Sequence, residues 1–279
     1  MLLMIIAVLV IFGLCLGSFV NALTWRLHEQ EKKNIKKEFH NKLSIINGRS
    51  MCPNCRHKLA AYDLIPVLSW LILRGKCRYC SQSISIQYPA IELLMGFLFV
   101  ASYFWWPLVL SGSQIVIFIL WLLLLIGFAA LLIYDLRWYI LPNRILYPLA
   151  FIASIQAIIN ITLANKPLIL ILNYVFSVIV GGGIFYVIFQ ISGGKWIGGG
   201  DVKLGLLLGL VAGTAGRSIL FIFLASVLGS LVSIPLLVSK RLKPNSRIPF
   251  GPFLITSVII VQLFGSNILN WYQQTFFRF

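Results

Sequence analysis

Apolar runs separated by short polar turns occupy residues 2–24, 90–108, 114–134, 144–163, 168–191, 202–214, 217–239 and 250–266. All but one are close to the roughly 20 residues that a helix needs to cross a bilayer. The exception, 202–214, is short and carries Gly205, Gly209 and Gly213 at every fourth position. That small-xxx-small spacing lets helix backbones approach closely, and predicts a tilted or partly re-entrant helix shielded by its neighbours. The pattern predicts an all-α polytopic membrane protein of about eight transmembrane helices. Its expected divisions are a first transmembrane helix (1–24), a hydrophilic loop (25–89) and a seven-helix membrane domain (90–279). No basic segment precedes the first run and no small-residue cleavage site follows it, so a retained helix is expected. Cys15 within it reads as a buried, inert thiol.

Composition agrees with this reading: 59% of the 279 residues are hydrophobic and the mean hydropathy is +0.94. A net charge of +16 would suit nucleic acid, but the location of the charges argues against it. With the N-terminus outside, twenty of the twenty-three Lys and Arg fall in 25–89, 135–144, 192–203 and 239–250. That is the positive-inside asymmetry of a polytopic membrane protein with these segments on the cytoplasmic side. Only Lys166, Arg217 and Arg278 lie elsewhere. The bilayer, not nucleic acid, is the expected partner.

Residues 25–89 hold twelve basic residues against four acids. Glu29 to Asn47 reads as a mobile or helical connector. Beyond it, Cys52-Pro-Asn-Cys55 and Cys77-Arg-Tyr-Cys80 form two CxxC knuckles separated by twenty-one residues. The spacing suits a tetrahedral four-thiolate zinc site, and a reducing compartment argues against disulfides. Such a site would be structural, because the loop has little apolar surface with which to fold alone. His57 reads as a solvated loop residue.

Only seven acidic residues are present, and Asp135 and Asp201 are the only Asp in the membrane half. The charge pattern places both on the cytoplasmic side, at helix ends. Asp135 precedes Leu141-Pro142-Asn143, where Pro142 stops a helix and Asn143 is expected to N-cap the next. Asp201 follows Gly198, Gly199 and Gly200, a run expected to let the backbone bend and a substrate approach. Two neighbouring carboxylates hold one shared proton, so one can act as base toward water while the other polarises a carbonyl. Simple anchoring by Arg137, Arg144 or Lys203 is the competing role. Lys203 could instead tune Asp201 or snorkel to the interface, and Glu92 reads as half of an interfacial ion pair.

Gly198-x-Gly200-Asp201 resembles the GxGD motif of intramembrane aspartyl proteases. Three further stretches are similar to the type IV prepilin peptidases: Gly198-Gly-Gly-Asp-Val-Lys-Leu204, Asp135 with Leu141-Pro142-Asn143, and Ile248-Pro-Phe-Gly-Pro-Phe253. Gly17-Ser-Phe-x-Asn21 with Arg26-Leu27, the cysteine module and Tyr88-Pro-x-Ile-Glu92 extend the likeness over nearly the whole chain. The resemblance implies an aspartic endopeptidase that removes leader peptides from prepilins or pseudopilins at the cytoplasmic face. It also implies N-methylation of the new terminus with S-adenosylmethionine. Asp135 and Asp201 would be the catalytic pair, with Gly198, Gly199, Gly200 and Lys203 around them. Presenilin-like proteases share GxGD, and Tyr134-Asp135 echoes them, but they lack the cysteine module. The alternative from another class is a non-catalytic scaffold or transporter with a zinc-stabilised loop. Oligomeric state and the identity of the pilins are not encoded in these patterns.

Overall fold

The computed structural model describes residues 1–32, 43–45, 48–239 and 248–276. Most of the expected connector and the basic residues Lys240, Arg241, Lys243 and Arg247 lie outside them. The protein is all-α, and among the described residues seven helices are long and apolar enough to span a membrane. Two compact units divide after Phe104, so the second long helix belongs with the first.

The first unit, Met1–Phe104, is built on α1 (Leu2–Gln30) and α3 (Gln87–Phe104), with the short α2 (Leu68–Ile72) between them. Glycines let α1 and α3 touch backbone to backbone. A Cβ at Gly13 would stand 2.7 Å from Gly96 Cα, and one at Gly17 2.6 Å from Glu92 Cα. Above this joint, Asn21 Nδ2 donates to the Tyr88 carbonyl and Gln87 Nε2 donates to Asn21 Oδ1. The buried Arg26 guanidinium donates to the Ser44 carbonyl at 3.1 Å. Cys15 is exposed on the outer face of α1, not buried.

Glu92 is also unlike the expectation. It is 6% exposed, and its Oε2 accepts from the Val67 N–H at 2.7 Å instead of serving an interfacial cation. Val67 sits at φ 61°, ψ −51°, in a γ-turn closed by Leu68 N–H to the Pro66 carbonyl at 2.6 Å. That conformation is strained for a β-branched residue, and a charge-assisted hydrogen bond is a suitable restraint.

The second unit, Trp105–Phe279, contains α4 (Ser113–Trp138), α5 (Asn143–Thr162), α6 (Pro167–Ser192), α7 (Gly199–Ala212), α8 (Ala215–Val238) and α9 (Gly251–Phe276). At 14 residues, α7 is about 21 Å long, too short to cross unaided. It is enclosed by α5, α6, α8 and α9. The expected glycine packing is present: a Cβ at Gly205 would meet the Gly181 carbonyl at 2.5 Å, and one at Gly209 the Ser177 carbonyl at 2.6 Å. Ser177 Oγ donates to the Gly209 carbonyl at 2.6 Å, fastening the joint. Gly213 does something else, closing α7 as a left-handed C-cap at φ 73°.

Candidate active site

Asp135 lies one turn before the end of α4, where Tyr139 caps the helix in the left-handed region and donates its N–H to the Asp135 carbonyl. The side chain is 5% exposed, and its Oδ2 has no hydrogen-bond partner among the described residues. Space for this oxygen comes from Gly251, the first residue of α9. A Cβ there would fall 2.5 Å from Asp135 Oδ2, so any side chain would displace the carboxyl. Pro252 follows in the first turn, where its missing N–H costs nothing. The Gly251 backbone amide approaches the same carboxyl, with the positive end of α9 behind it.

Asp201 occupies the first turn of α7, after Gly198 as N-cap. Its carboxyl folds back toward the Gly198 backbone in the manner of a capping-box acid. Two contacts bind the start of α7 to the loop after α4. A Cβ at Gly200 would stand 3.3 Å from Leu141, and Lys203 Nζ donates to Asn143 Oδ1 at 3.1 Å. The result is that the Asp135 and Asp201 carboxyls are close enough to interact electrostatically.

Several expectations change here. Asn143 is not the N-cap of α5; Pro142 holds that position, and the Asn143 side chain is committed to Lys203. Lys203 accordingly serves Asn143, not Asp201. Arg137 lies over the Trp138 ring at 5.8 Å. The glycine run supplies no unusual bend: Gly198 is at φ −75°, Gly199 and Gly200 are helical, and the left-handed glycines of this loop are Gly193 and Gly194, upstream of the run. Gly200 is needed for its close approach to Leu141. Gly251 stood in the sequence only as part of a motif. Its glycine–proline pair at the start of an apolar run was the one local sign that a backbone had to pass close to something.

The cysteine module folds as two copies of one turn, offset by 25 residues. Cys52 N–H donates to the His57 carbonyl and Arg56 N–H to the Cys52 carbonyl; Cys77 N–H donates to Gln82 and Ser81 N–H to Cys77 in the same way. Arg56 and Ser81 share the left-handed conformation, and bridges 51–58 and 76–83 flank the turns. The four sulfur ligand atoms all lie within 4.8 Å of one another, with Cys52 Sγ and Cys80 Sγ 3.9 Å apart. A tetrahedron of 2.3 Å zinc–sulfur bonds has edges of about 3.8 Å, so the donor set fits that metal. The Gln82 backbone amide, helped by Asn54 and the neighbouring thiols, brings Cys80 down to about 6, while burial pushes Cys77 up. His57 stacks on Tyr79 at 3.7 Å and stays out of the cluster.

Asp63 locks the two turns together. Its Oδ1 accepts from Arg78 Nε at 2.8 Å; its Oδ2 accepts from Tyr79 Oη at 3.0 Å and Ala60 N–H at 3.2 Å. Partial burial works to raise this carboxyl, yet those donors and the Arg78 charge together hold it below the ordinary aspartate value.

Residues 11–106 match the bacterial peptidase A24 N-terminal domain, and residues 117–234 match the type IV leader peptidase family. Full-length relatives carry the name prepilin leader peptidase/N-methyltransferase. That of Bacillus subtilis is 33% identical, covering 96% of this chain and 97% of its own. That of Vibrio cholerae is 34% identical over 90% and 93%, and that of Aeromonas hydrophila 28% over 95% and 93%. No solved structure matches the chain. With two family domains in order and relatives matched over nine-tenths or more of both chains, this chain belongs to the type IV leader peptidase family.

Proposed function

We propose that the chain is an aspartic endopeptidase whose Asp135 and Asp201 cut the leader from prepilins or pseudopilins at the cytoplasmic membrane face. The observation that carries this reading is the unpartnered Oδ2 of Asp135, nearly withdrawn from solvent beside a second carboxyl. Buried polar atoms almost always find partners, so an orphaned one at a carboxylate pair is an invitation to substrate or water. With one proton between them, the ionised member takes a proton from water as it attacks the peptide carbonyl. The protonated member hydrogen-bonds to the carbonyl oxygen as it gains charge. The proton gained by the base then goes to the departing amine. The two act as a unit, so the pair and not either residue sets the activity against pH.

The concentration of basic residues at these helix ends supports a cytoplasmic site and an external N-terminus. Zinc is the metal we assign to Cys52, Cys55, Cys77 and Cys80, as a structural ion that holds the two turns together. N-methylation with S-adenosylmethionine follows from the family resemblance and the relatives' names. Among the described residues the first unit has no strand leading to a glycine-rich turn.

The test is cleavage of a purified prepilin in liposomes by wild type, Asp135→Asn and Asp201→Asn. Asn keeps the shape but cannot exchange the proton. Each variant should fold, retain its metal and lose about 10³-fold or more in rate. Near wild-type cutting by either variant would end the two-aspartate reading and reopen that of a scaffold or transporter.

A further inference from the structure

At the helix ends opposite the two aspartates, the second unit encloses a cavity of about 640 Å³. Gln114 opens α4 and Arg217 lies in the first turn of α8, whereas Asp135 sits near the other end of α4. Along α7, Gly213 at the cavity is about 18 Å from Asp201. This is a separate site.

Four residues that line it each carry a buried polar atom with no hydrogen-bond partner among the described residues: Trp106 (Nε1) and Gln114, Gln156 and Gln262 (Oε1). Gln156 is 7% exposed. Since nearly all buried polar groups in proteins are paired, four around one void point to an absent occupant. Its volume would hold roughly twenty waters at about 30 Å³ each. Charge selects further. Arg217 lines the cavity with Nη2 donating to Ser266 Oγ, and among the described residues no acidic side chain stands on the wall to balance it. The positive-inside pattern does not account for this arginine, one of three basic residues outside the basic segments. It also lies at the positive end of α8. Tyr174 Oη accepts from Asn160, which leaves its own proton to donate. The glutamine amides can turn either end inward. Guanidinium, phenol, indole and amide groups drawn from several segments offer enough donors to surround a tetrahedral anion.

We propose that this cavity binds a phosphate group, either free or as the head of an anionic phospholipid, with Arg217 as its counter-charge. The full chain in neutral detergent is melted with phosphatidylglycerol, with diacylglycerol and with inorganic phosphate, and bound lipid is read by native mass spectrometry. Phosphatidylglycerol should raise Tm by several degrees and remain bound, while diacylglycerol should do neither. If inorganic phosphate reproduces the shift, the ligand is the free ion; if it does not, the ligand is the lipid. Arg217→Gln should abolish the response. Arg217→Lys, which keeps the charge and protects folding, should raise the half-maximal concentration about tenfold because the two-pronged donor is lost. An equal shift in Arg217→Gln, an equal effect of diacylglycerol, or no shift in wild type with any of the three would overturn the proposal. Cleavage is not part of the readout, so the result stands apart from that of the aspartate variants.

Discussion

The cysteine module and the aspartate site each hold a nearly buried carboxylate, and the two are built in opposite ways. Asp63 receives three donors, one of them charged, and both of its oxygens are engaged. Asp135 keeps one oxygen without a partner among the described residues, in space left by a glycine. A saturated carboxylate fixes structure; on the function proposed above, a starved one is held in readiness for substrate or water. Burial alone does not distinguish them, and the count of donors does.

Removing the metal proposed for the cysteine module should give the largest effect. Metal binding in small thiolate sites supplies apparent folding energies of about 10–16 kcal/mol. Chelation or Cys52→Ser should therefore expose residues 50–84 to protease while the far-ultraviolet signal of the long helices persists. A module still protected after metal loss would show that Asp63 and its partners suffice.

Gly251→Ala comes next. Overpacking of this kind costs typically about 1–3 kcal/mol. If that cost falls on the reacting carboxyl, the cleavage rate should drop about 10–100-fold with little change in Tm. A loss of Tm with normal cleavage would make Gly251 a packing residue only.

Asp63→Asn should have a smaller effect, seen as faster metal release to a chelator. Its sign with pH is fixed: a carboxyl held below its ordinary value stabilises the fold fully above the unfolded value of about 3.9 and ceases to as pH falls through the folded one. The gap between wild type and Asp63→Asn at pH 7 should thus close as pH falls below the ordinary aspartate range, which intrinsic fluorescence can follow. A gap independent of pH would assign the loss to shape. Lys203→Ala should be the mildest, because an exposed hydrogen bond to Asn143 contributes about 0.5–1.5 kcal/mol at most. A rate within several-fold of wild type is expected, and a larger loss would restore Lys203 to the reaction.

Much of this was readable before any coordinates. Helix ends fell within a few residues of their apolar runs, except that α1 and α9 continue into polar sequence as far as Gln30 and Phe276. Gly205 and Gly209 announced their role through spacing, because helix periodicity is local. The roles of Glu92, Asn143 and Gly251 were not legible, since each is defined by a partner more than twenty residues away. The doubled turn of the cysteine module was hidden for another reason: little but the CxxC recurs, and the repeat resides in backbone hydrogen bonds that many side chains permit.

The glycine joint between α6 and α7 has a mechanical consequence. Gly205 and Gly209 follow Asp201 by one and two turns, and the nearest contact of each is with backbone, which cannot swing aside as a side chain can. The depth of Asp201 is therefore gauged from below: a methyl group added two turns away would push on a rigid rod, and the displacement would surface at the carboxylate.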